Sequence, residues 1–98
     1  MAVVEVLLKH GADVHSRTKN GLTALHMAAQ GDHTGCARLL LQAGAKVDDI
    51  TVDYLTPLHV SSHCGNFNMA KLLLDSKCEI DLPALNGFTA LHIGMFHL

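Results

Sequence analysis

The constraint that governs this chain is a phrase that returns every 33 residues. Gly21-Leu22-Thr23-Ala24-Leu25-His26 recurs as Tyr54-Leu55-Thr56-Pro57-Leu58-His59 and again as Gly87-Phe88-Thr89-Ala90-Leu91-His92. The three histidines keep their spacing without drift. A fixed period of this length marks a solenoid, in which each unit packs only on its neighbours. The remainder of the unit holds the same register. Val6-Leu7-Leu8 matches Leu39-Leu40-Leu41 and Leu72-Leu73-Leu74, and Gly11-Ala12 matches Gly44-Ala45, with Lys77-Cys78 in the third copy. Val14, Val47 and Ile80 follow two residues later.

Each repeated position has a physical reason. Thr23, Thr56 and Thr89 can accept an amide of the first helical turn, which makes them N-caps. Pro57 then falls at the first helical position, where its missing N–H costs nothing. Leu25, Leu58 and Leu91 are expected to point inward, and the small pairs Ala28-Ala29 and Ser61-Ser62 to let two helices approach. Gly11 and Gly44 suit the left-handed residue that ends a second helix. Lys77 in that place should weaken or reshape the helix end. Tyr54 stands where the other copies have glycine, so its turn is expected to avoid positive φ, or else to carry strain. A tyrosine there would also place an aromatic anchor on the surface.

Taken together, these residues resemble the ankyrin repeat, whose pattern runs roughly G-x-T-P-L-H-x-A-A, then a glycine and a leucine run, then G-A. The resemblance covers essentially the whole chain and implies an all-α repeat solenoid. Each of its stacked units would hold two antiparallel helices and a projecting β-hairpin-like finger. It also implies that the motif histidine bonds within its own turn and to the adjacent repeat. The stretches Met27 to His33, Val47 to Ile50 and Ala84 to Thr89 are similar to the membrane-binding repeats of the ankyrins proper, adaptors that join membrane proteins to the spectrin skeleton. The units read as a partial repeat over 1–17, repeats over 18–50 and 51–83, and a partial repeat over 84–98. The chain thus reads as a segment of a longer array. Leu91, Ile93, Phe96 and Leu98 are expected to be exposed on its last helix.

Composition excludes several classes of function. With 98 residues and a formal charge of −2, the chain has no basic run to neutralise phosphates, so nucleic acid is not an expected partner. No apolar stretch approaches the roughly 18 residues of a membrane span, so direct insertion is not expected either. Three cysteines without motif spacing suit thiols in a reducing cytosol better than a disulfide framework.

Histidines and cysteines invite chemical readings that their spacing does not support. His59 and His63 are one helical turn apart with Cys64 alongside, yet zinc requires further ligands and no second close pair exists. His63 and Cys64 are adjacent, and adjacent helical residues do not face each other, so no nucleophile–base pair forms. Asp48, Asp49 and Asp53 do not follow a calcium-loop spacing and read as a solvated acidic finger. Neither catalysis nor a cofactor is expected.

The resemblance implies a concave groove lined by the first helices and rimmed by the fingers. Positions one, four and five after each histidine should face it: Met27, Gln30 and Gly31; Val60, His63 and Cys64; Ile93, Phe96 and His97. The rim candidates are Arg17, Lys19 and Asn20, then Asp49, Thr51, Asp53 and Tyr54, then Leu82 and Asn86. A mostly apolar stripe with charged edges suits an extended peptide, its apolar contacts giving affinity and its rim selecting the partner. The expected role is a non-catalytic protein-interaction module of a cytoplasmic, ankyrin-like adaptor at the plasma membrane. Its partners would be cytoplasmic segments of membrane proteins or cytoskeletal proteins. The alternative is the targeting arm of a larger enzyme such as a kinase or a ubiquitin ligase.

Overall fold

A computed structural model describes residues 2–95. Among these it forms α1 (Ala2–Lys9), α2 (Ala24–Gln30), α3 (Thr34–Gln42), α4 (Pro57–Cys64), α5 (Phe67–Asp75) and α6 (Ala90–Gly94), with no strand. Helix α2 lies against α3 and α4, and α4 lies against α5 and α6. The second-row helices touch less: α1 meets α3, and α3 meets α5. The result is a stack 39 × 25 × 20 Å, with α2, α4 and α6 as its inner row.

Identical caps start the three inner helices. Thr23, Thr56 and Thr89 have extended backbones, and their hydroxyls accept the amides of His26, His59 and His92. Each histidine Nδ1 returns the bond by accepting the threonine N–H, at 3.2, 3.0 and 3.0 Å. This is a reciprocal capping box with histidine in the place usually held by Glu or Gln.

The second-row helices also end alike. The amides of Ala12, Ala45 and Cys78 donate to the carbonyls of Leu7, Leu40 and Leu73 at 3.0, 3.0 and 3.3 Å. Lys77 does not reshape its helix end. It adopts φ +63° in the position where Gly11 and Gly44 have +86° and +101°. A non-glycine residue in that conformation carries about 1–2 kcal/mol of strain.

The fingers are tight turns rather than strand pairs. Thr18 N–H bonds the Leu22 carbonyl, Thr51 N–H that of Leu55, and Ala84 N–H that of Phe88, at 2.9, 3.0 and 2.8 Å. Successive fingers are joined by one backbone bond each, Val52 N–H to Asn20 O and Leu85 N–H to Asp53 O, at 3.0 and 2.8 Å. At Gly21 a Cβ would lie 3.1 Å from both Thr51 Cα and Val52 N. Glycine is therefore required there for space as well as for its φ of +84°. Tyr54 does not avoid the left-handed region: its φ is +61°. Its amide bonds Thr51 O, and the Thr51 hydroxyl accepts the Asp53 and Leu55 amides, so the turn is held in the shape of its glycine counterparts.

Leu25, Ala28, Ala29, Ala37, Leu40, Leu58, Met69, Leu73 and Ala90 form the core with Val14. Ser61 is buried among them, its hydroxyl donating to Leu58 O at 3.0 Å. Burying one such leucine contributes about 2 kcal/mol. Only the middle residue of each later leucine triplet is buried, while Val6, Leu7 and Leu74 remain half exposed. The triplets are thus only partly covered by their neighbours, because the outer row packs loosely. Leu91 does not point inward; it is 74% exposed. Ile93 on the same helix is half-buried. Phe96, His97 and Leu98 lie outside the described residues.

Polar links braid the layers together. Asn66, at the start of α5, donates its amide to Ala29 O and Gln30 O at 2.8 and 2.9 Å. Asp32 accepts the Met69 N–H at 3.0 Å. Each bond ties α2 and α3 to the next helix pair.

Candidate protein-binding surface

The histidines hold the layers. His26 Nε2–H donates to Leu55 O at 2.8 Å and His59 Nε2–H to Phe88 O at 3.2 Å. A carbonyl only accepts, so Nε2 carries the proton and Nδ1 is the bare nitrogen that takes the threonine N–H. Both ring nitrogens are thereby used, and both rings are buried. Burial holds both imidazoles below the ordinary histidine range, against the opposing effect of the Leu55 and Phe88 carbonyls. With both nitrogens engaged, His59 has no ligand atom to share with His63. Among the described residues no three His, Cys, Asp or Glu side chains gather into a metal-holding group. Cys36 and Cys78 are half-buried and Cys64 is exposed, with no disulfide. Burial, reinforced by Asp48, raises the Cys78 thiol, which opposes thiolate formation.

Three of the nine groove candidates come together. Val60, His63 and Ile93 line one cavity of about 420 Å³ with Leu55, His59, Asn86 and Phe88, between α4, α6 and two successive fingers. Met27 goes elsewhere, to a separate apolar cavity of about 450 Å³ beside α1, with Leu7, Leu8, Val14 and Leu40. The fixed offset from the histidine holds in sequence, but Met27 lines a cavity walled by α1, α3 and the 12–14 loop instead. Gln30, Gly31 and Cys64 are exposed. Phe96 and His97 lie outside the described residues.

The rim divides as well. Arg17 is committed inward, donating to Ile50 O at 2.7 Å and Gly21 O at 3.3 Å, and pairing with Asp49. Thr51 is buried and its hydroxyl is spent on the turn, so it offers no rim side chain. Lys19, Asn20, Asp53, Tyr54 and Asn86 are exposed, and Leu82 is half-buried. The three aspartates do not act as one cluster. Asp48 accepts the Glu79 amide at 3.0 Å, Asp49 pairs with Arg17, and Asp53 lines a cavity of about 360 Å³ with Leu55, Ala84, Leu85 and Asn86. The 360 and 420 Å³ cavities share Leu55 and Asn86 as a common wall.

Sequence reasoning missed Leu55 and Phe88. Both follow the finger turn, accept the histidine Nε2–H bonds at their carbonyls, and line the 420 Å³ cavity. Their equivalence to Leu22 in the repeat was the available signal, since an apolar residue returns there in every copy.

A family model for Ankyrin repeats (3 copies) matches residues 1–84. The helix pairs, threonine–histidine caps and joined fingers agree with that match, and the chain belongs to the ankyrin-repeat family. Ankyrin repeats mediate protein–protein interaction, and domains of this kind are typically non-catalytic. A comparison with curated proteins returns no match. Among the described residues no helix is long and apolar enough to cross a membrane.

Proposed function

We propose that this chain is a non-catalytic protein-binding module that takes an extended protein segment in the groove formed by α4, α6 and the two fingers before them. The observation that carries this reading is the cavity lined by Leu55, Val60, His63, Phe88 and Ile93. Apolar walls with a few polar groups at the edge are what a recognition pocket requires. The finer role we propose is that of an ankyrin-like adaptor, joining cytoplasmic segments of membrane proteins to the spectrin-based skeleton at the inner face of the plasma membrane. The similarity of Met27 to His33, Val47 to Ile50 and Ala84 to Thr89 to ankyrin membrane-binding repeats supports that role.

The test is photo-crosslinking in cells, with a benzophenone amino acid replacing Ile93, followed by mass spectrometry of the adducts. Adducts on cytoplasmic segments of membrane proteins, lost when the label is moved to exposed Lys71 on α5, are the expected result. Equal crosslinking from both positions removes the groove reading. Adducts confined to substrates of one attached enzyme would replace the adaptor role with that of a targeting arm.

A further inference from the structure

The groove carries information about the charge of its occupant. Its two adjoining cavities are apolar on the α4–α6 side and acidic on the finger side, where Asp53 stands beside Leu55, Ala84, Leu85 and Asn86. Asp53 is exposed, and its carboxylate has no ion-pair or hydrogen-bond partner among the described residues. No lysine or arginine occurs in residues 47–70 or 78–98, the two stretches that supply both walls. Arg17, the arginine of the first finger, is already engaged by Asp49 and two carbonyls. The two cavity linings therefore hold no lysine or arginine, and Asp53 is their one carboxylate.

The backbone of the fingers is closed to an incoming strand at this point. Leu85 N–H is spent on Asp53 O, and Ala84 N–H on Phe88 O. Recognition must come from side chains. Asn86 uses its Oδ1 to accept the Phe88 N–H at 3.0 Å, which leaves its Nδ2–H groups to donate to an occupant's carbonyl.

We infer that the occupant is an extended segment with a bulky apolar side chain in the Val60–Phe88–Ile93 cavity and a lysine or arginine, two residues away, against Asp53. This deepens the groove-binding reading and rests on it. In an extended segment, residues two apart project to the same side, which suits two cavities that share a wall. A cation on Asp53 selects among apolar segments more than it adds raw affinity, since exposed ion pairs are weak and salt-screened.

The experiment is phage display of random dodecapeptides against the 98-residue chain, followed by fluorescence polarisation of one enriched peptide and its version with the basic residue changed to glutamine. The expected outcome is enrichment of an apolar residue two positions from a lysine or arginine. The basic peptide should bind roughly two- to fivefold tighter than its neutral version, a factor equivalent to about 0.4–1 kcal/mol. Asp53→Asn should abolish that ratio, whereas Asp81→Asn, whose carboxylate lines a different cavity, should keep it. Shifts of the Asn86 side-chain amide and the Ile93 methyls in an NMR titration locate the peptide without any substitution. If those signals shift but charge makes no difference, or Asp53→Asn leaves the ratio intact, the inference falls while the groove reading stands. If the enriched peptide binds without moving them, the groove reading falls as well.

Discussion

The two joints of the stack are built from the same repeated parts and finished differently. Between α2 and α4, His26 meets Leu55 O at 2.8 Å, the fingers share a backbone bond, and Arg17 clamps Asp49 and Ile50 O across the gap. Between α4 and α6, His59 reaches Phe88 O at 3.2 Å and a finger bond is again present. The clamp is not. One period after Arg17 and Asp49 stand Ile50 and Leu82, which cannot form an ion pair. The repeated residues thus make a joint, and the residues that break the repeat decide whether it is tied shut or left with a cavity. The cavity lined by Val60, His63, Phe88 and Ile93 occupies the joint without the tie.

The largest expected effect comes from removing a histidine at each joint. His26→Ala leaves the Leu55 carbonyl and the Thr23 amide without partners in a buried place, a loss of about 3 kcal/mol at the usual cost of orphaned polar groups. His59→Ala should cost less, about 2 kcal/mol on the same basis. Urea melts of both variants measure the difference, and equal losses would dissolve the distinction between the joints. His92→Ala should cost least, because His92 makes its cap bonds while largely exposed.

Acidity probes both joints at once. His26 and His59 are held below their ordinary value of 6.5 when folded, and return towards it when unfolded. As pH falls below 6.5 the unfolded chain therefore takes up more protons, and folding loses stability. That contribution is complete above pH 6.5 and declines progressively below it. Thermal melts between pH 7.5 and 5 should show the fall, with a smaller slope in His59→Ala. A melting temperature independent of pH would mean that the rings are not closed on their neutral form.

The finger between the joints offers a gain rather than a loss. Tyr54→Gly relieves a left-handed tyrosine and should stabilise by about 1 kcal/mol; a melt lower than that of the parent would show that the ring contributes packing that outweighs the strain. The smallest effect belongs to the clamp. Arg17→Gln should cost about 0.5–1 kcal/mol, as partly exposed ion pairs do, and half of that should vanish in 0.5 M salt. A cost indifferent to salt would assign the clamp to its carbonyl bonds instead.

Much of this architecture was legible in the residues. The threonine caps, Pro57 at a helix start, and the left-handed Gly11 and Gly44 follow from local chemistry that each copy repeats. Tyr54 and Lys77 escaped it because propensity judges the residue alone, while four hydrogen bonds at Thr51, and the Lys77 and Cys78 amides bonded to Leu74 O and Leu73 O, enforce the turn whatever occupies it. The Arg17–Asp49 pair also escaped, since it joins two positions that vary between copies. That Val60, His63 and Ile93 share one cavity was legible by counting from the histidine. Met27 lines a different cavity from Val60, His63 and Ile93, which a count along one helix does not reveal, and Phe88 was overlooked because it lies before the helix rather than on it.

Asn66 finishes a helix that ended thirty-six residues earlier, by bonding the carbonyls of Ala29 and Gln30. A nascent chain leaving the ribosome would carry α2 with those two oxygens still hydrated until Asn66 had cleared the exit tunnel. Completion of this rung therefore trails synthesis of α2 by about one period, and a ribosome stalled before Asn66 would hold that helix end open to chaperones.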